Sequence, residues 1–107
     1  MQGDERLTEL SLEFLVPRLI AEFGYPAEGA RIVAEKIAAC GPQVRAAFAM
    51  WWQTGELTDL EIEGYTVERL MAEHNMKPIA AFLTLDWLGR EPEKARASLR
   101  RGHDRIG

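Results

Sequence analysis

The sequence predicts an all-α protein, a bundle of five or six helices with at most one short strand near residues 60–63. Three observations support this fold class. Apolar residues recur at the three- and four-residue spacing of amphipathic helices over most of the 107 residues. Prolines stand where helices would begin, and glycines stand where they would end. Alternation of apolar and acidic residues, which is typical of a strand, is limited to residues 60–63.

The N-terminal half predicts three helices. The first covers residues 7–23, and Pro17 should kink or split it, because proline removes a backbone donor inside a helix. The second covers residues 26–40 and has a narrow face of small apolar residues. The third begins at Pro42 and ends at Gly55, since glycine readily adopts the left-handed conformation that ends helices.

The C-terminal half predicts three more helices, over residues 66–74, 78–89 and 92–102. Thr66 has the side chain of an N-cap residue, and Asn75 is suited to the left-handed stop that follows a helix. We expect the third of these helices to end at its glycine, and the five residues after it to fray.

The predicted core consists of large apolar side chains at helical spacing: Phe14, Leu15, Leu19, Ile37, Phe48, Trp51, Leu70, Ile79, Leu85 and Leu88. Trp51 and Trp52 are adjacent, and adjacent helical residues point about 100° apart. One ring therefore belongs in the core, and the other either lies against a neighbouring helix or is exposed as an anchor for a partner. We favour packing against a neighbouring helix for the second ring. Trp51 is included in the predicted core and Trp52 is the candidate for an exposed anchor, although the spacing does not decide which of the two rings is exposed.

Composition limits the class of protein. The chain is 47% hydrophobic and 28% charged, as expected of one folded globular domain spanning residues 1–107. Its formal net charge of −4 disfavours a nucleic-acid partner. Cys40 is the only cysteine, so neither an intramolecular disulfide nor a cysteine-rich zinc site can form. With no signal-peptide pattern and no apolar run of membrane length, we expect a cytoplasmic protein without a membrane partner.

Charge is segregated along the C-terminal half. Residues 56–73 contain six acids and one base, a net charge of −5, whereas residues 90–107 contain six bases and three acids, a net charge of +3. The two segments either pair within the fold or leave the basic one free for an acidic partner.

The second half also has the order of a known DNA-binding motif, a short helix, a tight turn and a longer helix. Val44–Leu57 has a Gly-Glu-hydrophobic exit after its helix, Thr66–Leu70 begins a second helix, and Asn75 with Met76 occupies the turn. Residues 43–91 therefore resemble winged helix-turn-helix domains. Leu85 and Leu88 match the two buried leucines of that family's recognition helix, and Trp87–Glu91 is similar to its exit toward the wing.

Two departures from the family change what the resemblance implies. Positions that would face DNA bases hold Ala80, Ala81, Thr84 or Asp86, and none of these offers the guanidinium or amide groups that read base edges. From Pro92 onward the sequence predicts a helix instead of a wing hairpin. If the fold is shared, protein contact is therefore favoured over base readout.

Three functions remain open. The favoured one is a non-enzymatic, self-associating protein-interaction module, whose interaction surface contains Trp52, Phe82 and Trp87. The alternative is a DNA-associated transcriptional regulator that contacts phosphates through basic residues, which are Arg90, Lys94, Arg96, Arg100, Arg101 and Arg105. A small-molecule pocket near the tryptophans is a third hypothesis. We expect no catalytic residues, metal site or cofactor, because the sequence contains no catalytic constellation and no glycine-rich phosphate loop.

Overall fold

The computed structural model describes residues 12–106, with side chains for residues 15–100. These residues form six helices and confirm the predicted all-α fold. The helices are α1 (Leu12–Phe23), α2 (Ala27–Ala38), α3 (Pro42–Thr54), α4 (Val67–His74), α5 (Pro78–Arg90) and α6 (Pro92–Ile106). Within the described residues the short strand near 60–63 is reduced to one isolated antiparallel bridge between Ile62 and Tyr65.

The chain divides into two compact units, with the boundary between Gly55 and Glu56. The first unit contains α1, α2 and α3, and the second contains α4, α5 and α6. A single domain over residues 1–107 stays a prediction, and each unit is described by itself. None of the described helices has both the length and the apolar character needed to cross a lipid bilayer.

In the first unit, α1 and α2 pack together through small residues. Ala30 and Ala34 of α2 are fully buried, which allows the helix backbones to approach closely. Pro17 lies inside α1, which continues past it to Phe23. Gly55 ends α3 in the left-handed conformation (φ 82°) and donates its backbone N–H to the Trp51 carbonyl at 2.7 Å. A residue with a Cβ is strained there, so glycine suits the position.

The aromatic side chains of this unit correct one core assignment. Trp52 is only 6% exposed, whereas Trp51 is half-buried, the reverse of the predicted order. The Trp52 ring stacks on Phe23, with ring centroids 5.7 Å apart, and on Phe48, with centroids 5.4 Å apart. These two rings cover Trp52 and leave Trp51 at the edge of the cluster. The other predicted core residues of this unit are buried, except Phe14, whose side chain lies outside the described residues.

In the second unit, a two-residue turn precedes α4. Ile62 and Tyr65 exchange two backbone hydrogen bonds of 2.9 Å across Glu63 and Gly64, which both have positive φ (53° and 83°). This conformation is typical of the type I′ turn that suits hairpins. Arg96 of α6 donates to the Glu63 carboxylate at 2.8 Å. The acidic and basic segments of the sequence therefore pair within the fold at this point.

The helix ends of this unit follow the predicted signals. The Thr66 side chain accepts a hydrogen bond from the Arg69 backbone N–H at 3.1 Å, and Asn75 ends α4 in the left-handed conformation. Pro78 is the first residue of α5. The expected end of the last helix at Gly102 is wrong, because α6 continues to Ile106. Glycine inside a helix is unfavourable by only about 1 kcal/mol relative to alanine, so a single glycine need not end it.

The core of the second unit lies between α5 and its two neighbours, α4 and α6. The buried apolar side chains of these helices are Val67, Leu70, Ile79, Ala81, Phe82, Leu85, Leu88, Ala95 and Leu99. Four of them (Leu70, Ile79, Leu85 and Leu88) are members of the predicted core. The buried inner face of α5 is therefore apolar except for Asp86, which is 6% exposed, and the opposite face of the helix is left for contact with other molecules.

Candidate interaction surfaces

Trp52 is part of the core and is not available as an exposed anchor. The Arg18 guanidinium lies over its ring, with the guanidinium carbon 4.3 Å from the ring centroid. Arg18 Nη1 also donates to the Trp52 carbonyl at 2.6 Å, near the end of α3. A cation is favourable at the C-terminal end of a helix, where backbone carbonyls lack helical partners. Arg18 therefore fixes α1 against α3 and covers Trp52.

We expect Arg18→Ala to lower the free energy of unfolding by about 1–3 kcal/mol, because it removes a charged hydrogen bond and a cation–π contact. The ion pair of Arg18 with Glu22 (3.1 Å) is solvent-exposed and should contribute little. Glu22→Gln is therefore the control, with an expected change under about 0.5 kcal/mol. Urea unfolding of both variants gives the comparison, and equal losses would show that the Glu22 pair, not the Trp52 contact, matters.

Phe82 is also a core residue. It is 1% exposed on the inner face of α5, so its predicted place in an interaction surface is corrected. Trp87 lies on the other side of the helix and is only partly buried. Of the three predicted surface residues, only Trp87 therefore keeps accessible area.

Trp87 belongs to a stripe that we call the α5 outer face, defined by Lys77, Ala80, Thr84, Trp87 and Glu91. Ala80, Thr84 and Trp87 lie in one line along α5 at three- and four-residue spacing. Lys77 and Glu91 are the cap residues at the two ends of the helix, and Glu91 is joined to the line by its hydrogen bond with Trp87. Each is exposed or partly exposed, in contrast to the buried inner face. Of the positions expected to face DNA, only Ala80 and Thr84 lie on this stripe, because Ala81 and Asp86 are buried.

The Trp87 ring is held in place by Glu91. The indole Nε1 donates to Glu91 Oε1 at 3.0 Å, and Lys94 Nζ lies 3.4 Å from Glu91 Oε2. The hydrogen bond from Trp87, followed by the hydrogen bond and charge of Lys94, lowers the pKa of Glu91 below its ordinary value. The carboxylate is thus stabilised in its charged form at the end of the α5 outer face.

This lowered pKa predicts a pH dependence. The Glu91 contacts should contribute fully above the ordinary glutamate pKa of about 4.3, and be lost as the pH falls through the lower pKa of the folded protein. The indole N–H resonance of Trp87, assigned with Trp87→Phe, should therefore titrate with a midpoint below the ordinary glutamate pKa. Lys94→Met should raise that midpoint, and a wild-type midpoint at or above the ordinary value would contradict the assignment.

Three of the six basic residues proposed for phosphate contact form ion pairs within the fold. Arg90 pairs with the carboxylate of Asp86 at 2.8 Å, and this carboxylate is 7% exposed. Lys94 pairs with Glu91, and Arg96 pairs with Glu63. Arg100 is exposed on α6, whereas the side chains of Arg101 and Arg105 lie outside the described residues. Phosphate contact by the first three would compete with existing ion pairs.

The first unit has its own exposed apolar residues, which the sequence did not identify as a surface. Val16, Ile20 and Phe23 share one side of α1, and Ile20 (41%) and Phe23 (38%) are exposed. The Phe23 ring continues this stripe to Trp51, with ring centroids 5.9 Å apart. These residues belong to the apolar stripe that predicts α1 as an amphipathic helix. Helical spacing alone, however, does not show which members of the stripe are buried and which are exposed at its edge.

The described side chains were predicted to contain no catalytic or metal-binding group, and the residues most relevant to that prediction are Cys40 and the clusters of potential metal ligands. Cys40 is buried, and its thiol donates to the Lys36 carbonyl at 3.3 Å, as expected of a small core residue. No three histidine, cysteine, aspartate or glutamate side chains in the described part of the chain are grouped to hold a metal ion.

No protein-family model matches the sequence, and no curated protein or solved structure matches it either.

Proposed function

We propose that this chain is a small, non-enzymatic protein-interaction module that self-associates through the α5 outer face. The observation that carries the proposal is the chemistry of that face. At the position of a recognition helix, this face has exposed Ala80 and partly exposed Thr84 and Trp87, and residues 78–88 contain no basic side chain. Tryptophan is enriched among residues that dominate binding energy, and small neighbours allow a second helix to approach closely.

The α1 stripe is the competing surface, and charge favours α5. On α1 the described charged residues, Arg18 and Glu22, lie on the other edge of the helix and bind each other. The α5 outer face has a base at one end, Lys77, and an acid at the other, Glu91. Charges that flank an apolar contact contribute orientation and specificity. The described residues of the α1 stripe include no such flanking charges.

The test is solution mass by size exclusion with light scattering. The chain mass is 12.1 kDa, and we expect the wild type to have twice this value. Trp87→Ser should weaken association at least about tenfold, as loss of one interface anchor of 1.4 kcal/mol or more requires. Ala80→Glu should do the same while folding normally, because the position is exposed and an acid is favourable in the first turn of a helix.

Ile20→Ser is the matched control, since it removes an exposed apolar side chain outside the α5 outer face. Its mass should equal that of the wild type, and circular dichroism should be the same for all variants. A wild type that has the mass of one chain at every concentration would overturn self-association. A dimer disrupted by Ile20→Ser but not by Trp87→Ser or Ala80→Glu would move the interface to α1.

The alternative is a DNA-associated regulator. Its support is the helix-turn-helix outline, with eight residues in α4, a turn at residues 75–77 and thirteen residues in α5, together with exposed Arg100 on α6. Binding to phosphates should be lost steeply as salt increases, and Arg100→Ala should reduce the salt dependence. A gel shift with random duplex DNA that shows no retardation at low salt would remove this function.

A further inference from the structure

We infer that two copies of the chain associate with their α5 helices antiparallel, related by a two-fold axis that passes beside Thr84. This inference deepens the proposed self-association and rests on it. In such a contact, residues at equal distances on either side of the axis meet across the interface. Lys77 and Glu91 each lie seven positions from Thr84, so they meet each other.

Charge selects the antiparallel orientation. Around the axis at Thr84, Lys77 of each copy lies opposite Glu91 of the other, which gives two equivalent pairs of opposite charge. A parallel pair would instead place Lys77 beside Lys77 and Glu91 beside Glu91, and both contacts would be repulsive. Its contacts with Trp87 and Lys94 lower the pKa of Glu91, so its carboxylate is charged at neutral pH.

Side-chain size agrees with the same arrangement. Ala80 lies four positions from Thr84 and Trp87 lies three, so the large ring of one copy faces the small side chain of the other. A parallel pair would bring the two tryptophans together and leave the alanines facing a gap, which disfavours close packing. The two faces are therefore complementary in size as well as in charge.

The axis itself requires a residue that lets the backbones approach and adds no unpaired polar group. The Thr84 hydroxyl already donates to the Ala80 carbonyl at 2.8 Å, within the helix. Burying it at an interface therefore leaves no hydroxyl hydrogen without a partner. Thr84 can contribute its methyl group to the contact.

Disulfide trapping tests the arrangement. In the full chain, Thr84→Cys should form a covalent dimer under mild oxidation with oxidised glutathione, because residues on the axis lie within the 4.4–6.8 Å Cα separation that a disulfide needs. Lys77→Cys is the matched variant. In the antiparallel dimer its two copies are roughly 21 Å apart at the helical rise per residue, so it should not be trapped. Wild-type protein, whose single cysteine is buried, gives the background.

Charge exchange gives a second measurement. Lys77→Glu should weaken association about threefold or more. At each end of the interface, the new acid of one copy would then face Glu91 of the other copy, and the two would repel each other. Combining it with Glu91→Lys should recover part of the association, since opposite charges meet again across the interface while the contacts of Glu91 with Trp87 and Lys94 are lost. The combined variant keeps the net charge of the wild type, so a general charge effect does not explain recovery.

The outcomes separate this inference from the proposed function. A wild-type dimer in which Thr84→Cys is not trapped, or in which Lys77→Cys is trapped instead, overturns the antiparallel arrangement and leaves self-association intact. A wild type with the mass of one chain overturns both. Trapping of Thr84→Cys alone, with recovery in the charge exchange, supports the inference.

Discussion

Replacing Phe82 by alanine is expected to destabilise the second unit by about 3–5 kcal/mol, the range typical of a buried phenylalanine. Phe82 is 1% exposed on the inner face of α5, so the substitution removes apolar surface and leaves a cavity among packed neighbours. Small domains have a total stability of roughly 5–15 kcal/mol, so this variant is expected to unfold partly at 37 °C. Urea unfolding followed by circular dichroism measures the loss.

Two further variants make the Phe82 result specific. Phe82→Leu keeps most of the volume and should lose less than about 1.5 kcal/mol if relaxation fills the site. Leu83→Ala changes a partly exposed neighbour on the same helix and should lose less than Phe82→Ala. A loss below 1 kcal/mol for Phe82→Ala, together with a change in solution mass, would return Phe82 to the interaction surface and contradict its burial.

Replacing Phe48 by alanine should have an effect of similar size on the first unit, about 3–5 kcal/mol. Phe48 is fully buried, and its ring lies 5.4 Å from the Trp52 ring and 5.7 Å from the Trp51 ring. Aromatic pairs of this kind contribute about 0.5–1.5 kcal/mol beyond the area that they bury. Thermal unfolding gives the stability, and near-ultraviolet circular dichroism reports the loss of fixed tryptophan geometry.

Met50→Ala is the control for Phe48, because it shortens an exposed apolar side chain on the same helix. It should change the free energy of unfolding by less than about 0.5 kcal/mol and leave the near-ultraviolet spectrum unchanged. If Met50→Ala and Phe48→Ala proved equally harmful, the aromatic cluster would not be the core of the first unit.

Most helix ends, although not the one expected at Gly102, were predictable because their signals are local. Thr66 caps α4 through a hydrogen bond to a residue three positions away, and Asn75 and Gly55 supply left-handed conformations that few other residues adopt cheaply. Pro42 and Pro78 begin helices because the first turn does not need their missing donor. Each of these devices requires only residues that are close in sequence.

The choice between Trp51 and Trp52 was not predictable in the same way. It depends on Phe23 and Arg18, which lie about thirty residues earlier in the chain and cover Trp52 only once α1 is packed. Helical spacing places both tryptophans near the boundary of the buried face. The residue that occupies the core is decided by its tertiary neighbours.

The inner and outer faces of α5 were ambiguous for a related reason. The helix has apolar residues around most of its circumference, so periodicity alone could not decide whether Phe82 or Trp87 points inward. The pairing of Arg96 with Glu63 was anticipated only as a pairing of segments, since the partners lie 33 positions apart. Charge balance predicts that acidic and basic segments meet, but it does not identify the residues that do so.

Glu63 is subject to two requirements that favour different amino acids. Its backbone has φ 53°, a left-handed conformation that asparagine and glycine adopt at lower energy than glutamate does. Its carboxylate holds Arg96, which asparagine and glycine cannot replace. In homologous sequences we therefore expect positions 63 and 96 to vary together. Glutamate should persist where position 96 is basic, and position 63 should drift toward asparagine or glycine wherever that base is lost.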